Sequence, residues 1–173
     1  MGEPASREAP ALRGPRLFLE ALLGSGLFTG YFPLAPATVT SLSALFPSYL
    51  LAPHPLWHAL AVAGLFFGGV KIAGDLETVW GRDPRRVTID EVVGTLITFF
   101  LLPLSVWGML VGFAFFRVFD IAKLPFIDKS QRLPGGWGVM IDDVLAGACA
   151  QVATRLVLWG ATFVPAVHNL LTR

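Results

Sequence analysis

Nine carboxylates between positions 75 and 143 are the residues of this chain best suited to chemistry, and basic residues lie among them. They are Asp75, Glu77, Asp83, Asp90, Glu91, Asp120, Asp128, Asp142 and Asp143. Two adjacent pairs, Asp90-Glu91 and Asp142-Asp143, are predicted to open two apolar helices, which places both pairs at one boundary between polar and apolar segments. A charge at such a boundary costs free energy unless it is paired, hydrated or bound to a cation.

Three charged residues near the end of another predicted helix extend this pattern. Arg117 and Asp120 are three positions apart and share a helical face, and Lys123 follows about one turn later. Structural explanations exist for each part alone: an Asp at a helix N-terminus is often a cap, and Arg117 with Asp120 can be a plain ion pair. Four paired acids beside Arg and Lys are harder to explain by capping, and they suit Mg²⁺ together with a phosphate group.

The composition indicates the environment in which these charges must work. The chain has 173 residues, of which 54% are hydrophobic and 14% charged, whereas soluble domains are roughly 25% charged. The mean hydropathy is +0.66. A soluble globular domain and a disordered chain are therefore both excluded. The net charge of +1 and the absence of a basic stripe argue against nucleic-acid binding.

Three stretches lack Asp, Glu, Lys and Arg altogether, namely residues 21–70, 92–116 and 144–154. A spanning helix needs roughly 20 mostly apolar residues, and prolines divide these stretches into five predicted helical segments. The segments are Ala37–Ala52, Leu56–Gly74, Asp90–Leu102, Leu104–Ile121 and Asp142–Val164. Residues 1–16 are predicted to form a disordered arm, and 17–173 a single membrane-embedded domain. Six glycines are spaced to permit close helix contact: Gly64, Gly68, Gly69, Gly108, Gly112 and Gly147.

The distribution of basic residues predicts an orientation. The first 16 residues hold three of them, and segments 71–86 and 117–132 hold four each, whereas the alternate connections hold none. The positive-inside rule therefore places these segments, and the acids with them, on the cytoplasmic side. We predict an all-α integral membrane protein, a compact bundle of about four to five membrane helices with cytoplasmic-side loops that carry the site.

One short motif is misleading. Cys149 and Arg155 have the Cys-x5-Arg spacing of cysteine-dependent phosphatases, but the residues between them contain no glycine and continue an apolar helix. That chemistry needs a glycine-rich loop of backbone N–H groups around the phosphate, so we reject it here. The sequence also has no Gly-x-x-x-x-Gly-Lys-Ser/Thr phosphate loop and no Cys/His zinc cluster. With these motifs excluded, the kind of site that the sequence still indicates is a carboxylate and metal site at a membrane surface.

Four blocks of sequence resemble the bacterial phosphatidylglycerophosphatase A family. They are residues 83–94 with Thr88-Ile89-Asp90-Glu91, 116–123 with Phe116-Arg117-Val118-Phe119-Asp120, 135–147 with Gly138-Val139-Met140-Ile141-Asp142-Asp143, and 30–42 near the N-terminus. They occur in the family's order, and the resemblance spans about residues 24–160. Ala37 and Thr40 stand where the family usually has glycine, and Leu124-Pro125-Phe126 replaces its usual Pro-x-Pro.

The resemblance implies a multi-pass lipid phosphatase of the bacterial inner membrane. Such an enzyme uses Mg²⁺ to hydrolyse phosphatidylglycerophosphate, a membrane phospholipid, to phosphatidylglycerol. Carried over by position, Asp90, Glu91, Asp142 and Asp143 match acids of the family, and Arg117, Asp120 and Lys123 match its central Arg, Asp and Lys. Our hypothesis for their roles is that the four paired acids hold Mg²⁺, that Asp120, Asp90 and Glu91 are the catalytic acids, and that Arg117 and Lys123 bind the phosphate. A small cation- or proton-coupled transporter that uses the same acids is the alternative, although it predicts internal repeats and acids near the bilayer centre.

Overall fold

A computed structural model describes residues 14–82, 84–102 and 105–172, and within these ranges every regular element is helical. The all-helical prediction is therefore confirmed. Most of the predicted arm lies outside the described residues. Asp83, Pro103 and Leu104 lie outside them as well, and Leu104 is the first residue of the predicted helix Leu104–Ile121. The last two arm residues, Pro15 and Arg16, already belong to a helix.

Nine α-helices and one 3-10 turn, Thr29–Tyr31, are present in the described part of the chain. The α-helices are α1 Pro15–Gly24, α2 Pro36–Ser43, α3 Leu45–Leu51, α4 Pro55–Trp80, α5 Ile89–Phe99, α6 Val106–Ala122, α7 Pro125–Ser130, α8 Gly136–Ala161 and α9 Pro165–Thr172. Three helices that the sequence analysis did not predict, α1, α7 and α9, all begin at a proline. Proline suits the first helical position because its missing N–H would have no partner there.

The predicted helix Ala37–Ala52 is divided into α2 and α3, and this corrects the prediction. Pro47 explains the break, because it has no N–H to donate to the carbonyl oxygen of Ser43, where α2 ends. Two other segments are longer than predicted. α4 continues to Trp80 and stops at Gly81, which has a φ of 87°, and α8 begins six residues before Asp142, at Gly136.

Two helices, α4 and α8, are long and apolar enough to cross a membrane, each with 26 residues. At about 1.5 Å per residue each extends about 39 Å, beyond the roughly 30 Å of a hydrocarbon core. α5 has 11 residues and would extend only about 16 Å. By length and composition, α4 and α8 are therefore able to span a membrane, whereas α5 is too short to cross alone.

Helix directions bring the charged ends together. α8 packs against α4, α5 and α6, and it is the centre of the bundle. Gly69 contacts Met140 and Gly74 contacts Gly136, so α4 runs opposite to α8. Gly112 contacts Thr154 and Lys123 lies beside Asp142, so α6 also runs opposite to α8. α5 runs in the same direction as α8, because Glu91 lies beside Asp143 and Phe100 beside Gln151. The C-terminal ends of α4 and α6 therefore meet the N-terminal ends of α5 and α8. All the predicted site residues lie at this end.

The crossing of α5 and α8 is unusually close because two glycines face each other. An ideal Cβ on Gly147 would lie 2.4 Å from the carbonyl oxygen of Gly94, and one on Gly94 would lie 2.6 Å from the Phe116 ring. Thr98 Oγ1 donates to the carbonyl oxygen of Gly94 at 2.9 Å. The crossing lies about one helical turn from Glu91 and Asp143, so it sets the distance between these carboxylates.

We expect Gly147→Ala to lower both stability and activity. The added methyl group meets backbone rather than a flexible side chain, so α5 and α8 must separate, at a cost of about 1–3 kcal/mol. Gly160→Ala is the matched control on the same helix, because a Cβ there meets nothing within 4 Å. Thermal unfolding in detergent should show a lower melting temperature for Gly147→Ala only; equal melting temperatures for both variants would contradict the close crossing.

The predicted glycine contacts are found at some positions and not at others. Gly69, Gly112 and Gly147 do approach neighbouring helices closely. Gly64 and Gly68 do not, because a Cβ built on either would meet nothing within 4 Å. The prediction is wrong for this Gly-x-x-x-Gly pair, since no described helix packs over that face of α4.

Candidate functional site

Helices, rather than loops, carry the predicted site residues. Asp90 and Glu91 lie in the first turn of α5, and Arg117 and Asp120 lie near the end of α6. Asp142 and Asp143 lie on α8, and Lys123 directly follows α6 with a φ of 40°. The prediction that loops carry the site is thereby corrected. A helical backbone satisfies its own amide groups, so it can hold side chains more precisely than a loop.

Asp142 and Asp143 do not open α8, as the sequence analysis had predicted, but follow almost two turns of helix. α8 begins before the predicted start at Asp142 because glycines allow its first turn to pack closely against the backbone of α4. An ideal Cβ on Gly136 would lie only 1.9 Å from the carbonyl oxygen of Val70, and Gly135 has a φ of 57°. The segment 136–138, which lies before the predicted helix Asp142–Val164, is therefore helical.

Three carboxylates from three helices converge on one point. Glu91, Asp120 and Asp143 each offer an oxygen atom, and these oxygens all lie within 4.8 Å of one another. Glu91 and Asp143 are buried, and Asp120 is half-buried. Like charges this close repel strongly in a medium that excludes water, so the arrangement requires a cation, protons or both.

Arg117 supplies part of the compensating charge. Its Nη1 donates to Glu91 Oε2 at 2.7 Å, and its Nη2 lies 3.1 Å from Asp120 Oδ2. Ser41, on α2, donates to the same Glu91 oxygen at 2.6 Å and accepts from Arg117 Nη1 at 3.2 Å. The guanidinium group therefore links two of the three converging carboxylates and fixes their orientation.

Two buried carboxylate oxygens in this region have no hydrogen-bond partner among the described residues, Asp90 Oδ1 and Asp143 Oδ2. An unpaired buried carboxylate oxygen is costly, because it has lost its water and gained nothing in return. Among the described residues, five acids also face three cationic side chains here, Arg85, Arg117 and Lys123. Hard oxygen donors, an excess of negative charge and orphaned oxygens together fit a divalent cation such as Mg²⁺.

Asp142 belongs to a neighbouring group of contacts. Its Oδ2 accepts from Gln131 Nε2 at 2.5 Å and lies 3.6 Å from Lys123 Nζ. Its Oδ1 accepts from the backbone N–H of Asp143 at 3.1 Å. Asp142 is thus already partnered, whereas Asp143 Oδ2 has no hydrogen-bond partner in the described part of the chain, although both residues were predicted as metal ligands. The 3.6 Å separation leaves the Lys123 ammonium group free to approach an anion.

An open cavity of about 400 Å³ connects these groups with the surface. The four acids of the two adjacent pairs line it together with Asp120, Lys123 and Gln131. The opposite wall comes from residues 33–37, before and at the start of α2, and from residues 84–88, before α5. Arg117 is not among the lining residues, because it lies behind Glu91 and Asp120. A phosphate group in this cavity would meet acids, Lys123 and the exposed Arg85.

Two side chains of the site were missed by the sequence analysis, Ser41 and Gln131. Ser41 lies in an uncharged stretch, but four hydroxyl residues occur between positions 38 and 43, and this cluster was a usable signal. Gln131 had no such signal, because it is one polar residue in a polar segment. Thr40, at a position where the resemblance leads us to expect glycine, makes two hydroxyl contacts: its hydroxyl lies 2.5 Å from that of Thr29 and donates to Thr88 at 3.0 Å.

The rejected Cys-x5-Arg motif lies on continuous helix. Cys149 and Arg155 are both inside α8, so no phosphate-binding loop can form between them. Arg155 is exposed and lies 3.4 Å from the carbonyl oxygens of Phe100 and Leu101. The structure confirms that this pair is not a cysteine phosphatase site.

Comparison with known protein families assigns the chain. The profile of the phosphatidylglycerophosphatase A family, PgpA, matches residues 22–158, which include every acid of the cavity. The chain belongs to the phosphatidylglycerophosphatase A family. The resemblance carried by the four sequence blocks is thereby confirmed, and with it the expectation of a phosphatidylglycerophosphatase-type enzyme.

Three relatives from this comparison are informative. A Bacteroides thetaiotaomicron protein, provisionally named a phosphatidylinositol-3-phosphatase, is 39% identical over 82% of this chain and 95% of its own length. Phosphatidylglycerophosphatase A of Escherichia coli is 32% identical over 73% of this chain and 76% of its own. That of Haemophilus influenzae is 40% identical over 41% of this chain and 45% of its own. No solved structure matches the chain. Nothing in these similarities supports the transporter alternative.

Proposed function

We propose that this protein hydrolyses the terminal phosphate monoester of phosphatidylglycerophosphate, releasing phosphatidylglycerol and inorganic phosphate, and that it requires Mg²⁺. The observation that carries this proposal is the convergence of Glu91, Asp120 and Asp143 in a cavity that also contains Lys123. Membership of the phosphatidylglycerophosphatase A family supports the choice of substrate.

A second lipid substrate is favoured by one specific relative. The Bacteroides protein is named for a phosphatidylinositol phosphate, and it covers more of this chain than the Escherichia coli enzyme does. Both lipids carry a phosphate monoester on a polyol headgroup, so the same cavity chemistry would serve either. The family profile favours phosphatidylglycerophosphate, and a direct comparison of the two substrates tests the choice.

We assign the cation to Glu91, Asp120 and Asp143, with Asp90 and Asp142 beside it. When bound, a divalent cation supplies positive charge that offsets the negative charge of the phosphate oxygens. Arg117 holds Glu91 and Asp120 in place through the contacts described above, and we assign it a positioning role. Lys123 binds a phosphate oxygen, because it lines the cavity and its ion pair with Asp142 is long.

Asp90 is our candidate for proton transfer. It lines the cavity, it is outside the three-carboxylate group, and its Oδ1 has no partner among the described residues. A water molecule attacks phosphorus while Asp90 accepts its proton, and the bond from phosphorus to the glycerol oxygen breaks. Return of that proton to the departing glycerol oxygen completes the reaction without a net change in Asp90.

The location of the site supports a membrane substrate. The acids lie at one end of a bundle that contains two helices able to cross a membrane. A phospholipid could therefore stay in the bilayer while its phosphate enters the cavity at headgroup depth. The concentration of basic residues in segments 71–86 and 117–132 supports placing this end at the cytoplasmic face of the inner membrane.

The test is phosphate release by purified protein in detergent, with Mg²⁺ or with excess EDTA. We expect release with Mg²⁺ and none with EDTA, and we expect Asp90→Asn to lower the rate about a hundredfold or more while the fold is kept. Asp75→Asn is the matched control, because Asp75 lies on α4 outside the cavity, where it forms ion pairs with Arg16 of α1 and Lys71 of α4.

Parallel assays with phosphatidylglycerophosphate and phosphatidylinositol 3-phosphate decide the substrate. A higher kcat/KM for the first lipid supports the proposal, and a higher value for the second assigns the other activity. Release that persists in EDTA would overturn the metal assignment, and no release from either lipid by folded protein would overturn the phosphatase proposal itself.

A further inference from the structure

An apolar groove of about 800 Å³ lies beside the acidic cavity. It is bounded by the end of α1, by α3, and by one face each of α4 and α5. Only Thr29 and Ser43 carry polar side chains among the described residues that line it. Its edge includes Phe46 and Leu27, whose side chains are exposed by 70% and 68%. Such a surface is unfavourable in water and suited to hydrocarbon.

Three hydrogen-bonded threonines lie at the boundary between this groove and the cavity. Thr29 lines the groove, Thr88 lines the cavity, and Thr40 lies between them and is hydrogen-bonded to both. The two spaces also share the start of α5, where Ile89 faces the groove and Asp90 the cavity. A molecule with a polar head and an apolar tail could therefore occupy both at once.

The dimensions of the groove match a lipid tail. Along α4 the lining residues run from Ile72, near the acidic end, to Ala61, a distance of about 16 Å at 1.5 Å per residue. This is about half the roughly 30 Å thickness of the hydrocarbon core, which is the depth of one leaflet. α4 is one of the two candidate spanning helices, so the groove lies alongside the membrane interior.

Gly64 and Gly68 form an open part of the groove wall. Both line it, and a Cβ at either position meets nothing within 4 Å. In a membrane helix, such a glycine pair usually permits another helix to pack closely. Here no described helix does so, and the missing side chains leave a channel along α4 that a hydrocarbon chain can fill.

We propose that this groove binds an acyl chain of the phospholipid substrate while its phosphate occupies the acidic cavity. The inference rests on the proposed lipid phosphatase function and adds the position of the tail. It predicts that the enzyme gains rate from a long acyl chain through burial of methylene groups beside α4, and that bulk at Gly64 or Gly68 removes this gain.

The experiment compares kcat/KM for dioleoyl and dibutanoyl phosphatidylglycerophosphate in wild type, Gly64→Leu, Gly68→Leu and the control Gly160→Leu. Gly160 is also exposed, with nothing within 4 Å of its Cβ position, but it lies outside the groove. We expect each groove variant to reduce the long-chain to short-chain ratio about tenfold, since a leucine displaces roughly two methylene groups. Gly160→Leu should keep the wild-type ratio.

The outcomes separate the groove from the function itself. An unchanged ratio in both groove variants, or equal losses on both lipids, overturns the tail position while the phosphatase function stands. The mass of the protein–detergent complex is measured for each variant as well. A changed mass in the groove variants, with an unchanged long-chain to short-chain ratio of kcat/KM, would mean that a second copy of the chain covers the groove. Failure of the wild type to hydrolyse either lipid is instead a failure of the proposed function.

Discussion

Asp143→Asn should reduce Mg²⁺-dependent phosphate release by about a thousandfold and, in EDTA, make the protein more stable. The loss of rate follows from the loss of one of three converging ligands, a change on the scale of removing a main electrostatic contact in an active site. The gain in stability follows from Asp143 Oδ2, which is buried and has no hydrogen-bond partner in ranges 14–82, 84–102 and 105–172. An amide of the same shape carries no charge to desolvate.

Thermal unfolding with and without Mg²⁺ measures both effects. In EDTA, we expect the melting temperature of Asp143→Asn to be about 2–4 °C above that of the wild type. This is the shift that roughly 1 kcal/mol produces in a chain of this size. Wild type should gain further stability from Mg²⁺, about 2.7 kcal/mol at a hundred times Kd, whereas Asp143→Asn should gain little. Asp128→Asn is the control, because Asp128 is exposed and its ion pair with Arg132, at 3.9 Å, is long. A variant that is destabilised in EDTA would contradict this description of Asp143.

Arg117→Ala should be among the most destabilising substitutions in the chain, at about 3–5 kcal/mol. The Arg117 side chain is only 13% exposed and is bonded to Glu91 and close to Asp120. Its removal leaves two carboxylates close together without the guanidinium that separates their charges. Arg117→Lys should recover part of the stability but little activity, because an ammonium group cannot reproduce the fork that joins both carboxylates.

Unfolding in mixed detergents, followed by circular dichroism, measures this loss. The double variant Arg117→Ala/Glu91→Gln should be more stable than Arg117→Ala, since it removes the uncompensated charge, yet it should remain inactive. Arg132→Ala is the control, because the Arg132 side chain is 79% exposed and should change stability little. If the double variant is no more stable than the single one, the main role of Arg117 is not to compensate Glu91.

The sequence signals that pointed to the candidate site are local. Adjacent acids at Asp90-Glu91 and Asp142-Asp143, and the Arg117–Asp120 spacing, are visible without any tertiary contact. The composition alone indicated a membrane environment, because so few charges leave most of the chain apolar. Helix ends were predicted less well: glycine packing at Gly136 moved the start of α8, and Pro47 divided the first predicted helix.

The sequence by itself determined the helical class of the protein, its family and the acids proposed for the candidate site. Only the tertiary structure decided which acids meet, because the Gly94–Gly147 crossing brings Glu91 and Asp143 together and the antiparallel course of α6 adds Asp120. It also decided that Asp142 is partnered and that Gly64 and Gly68 face open space. These are relations between residues distant in the chain, and they depend on backbone approach rather than on the local residue pattern.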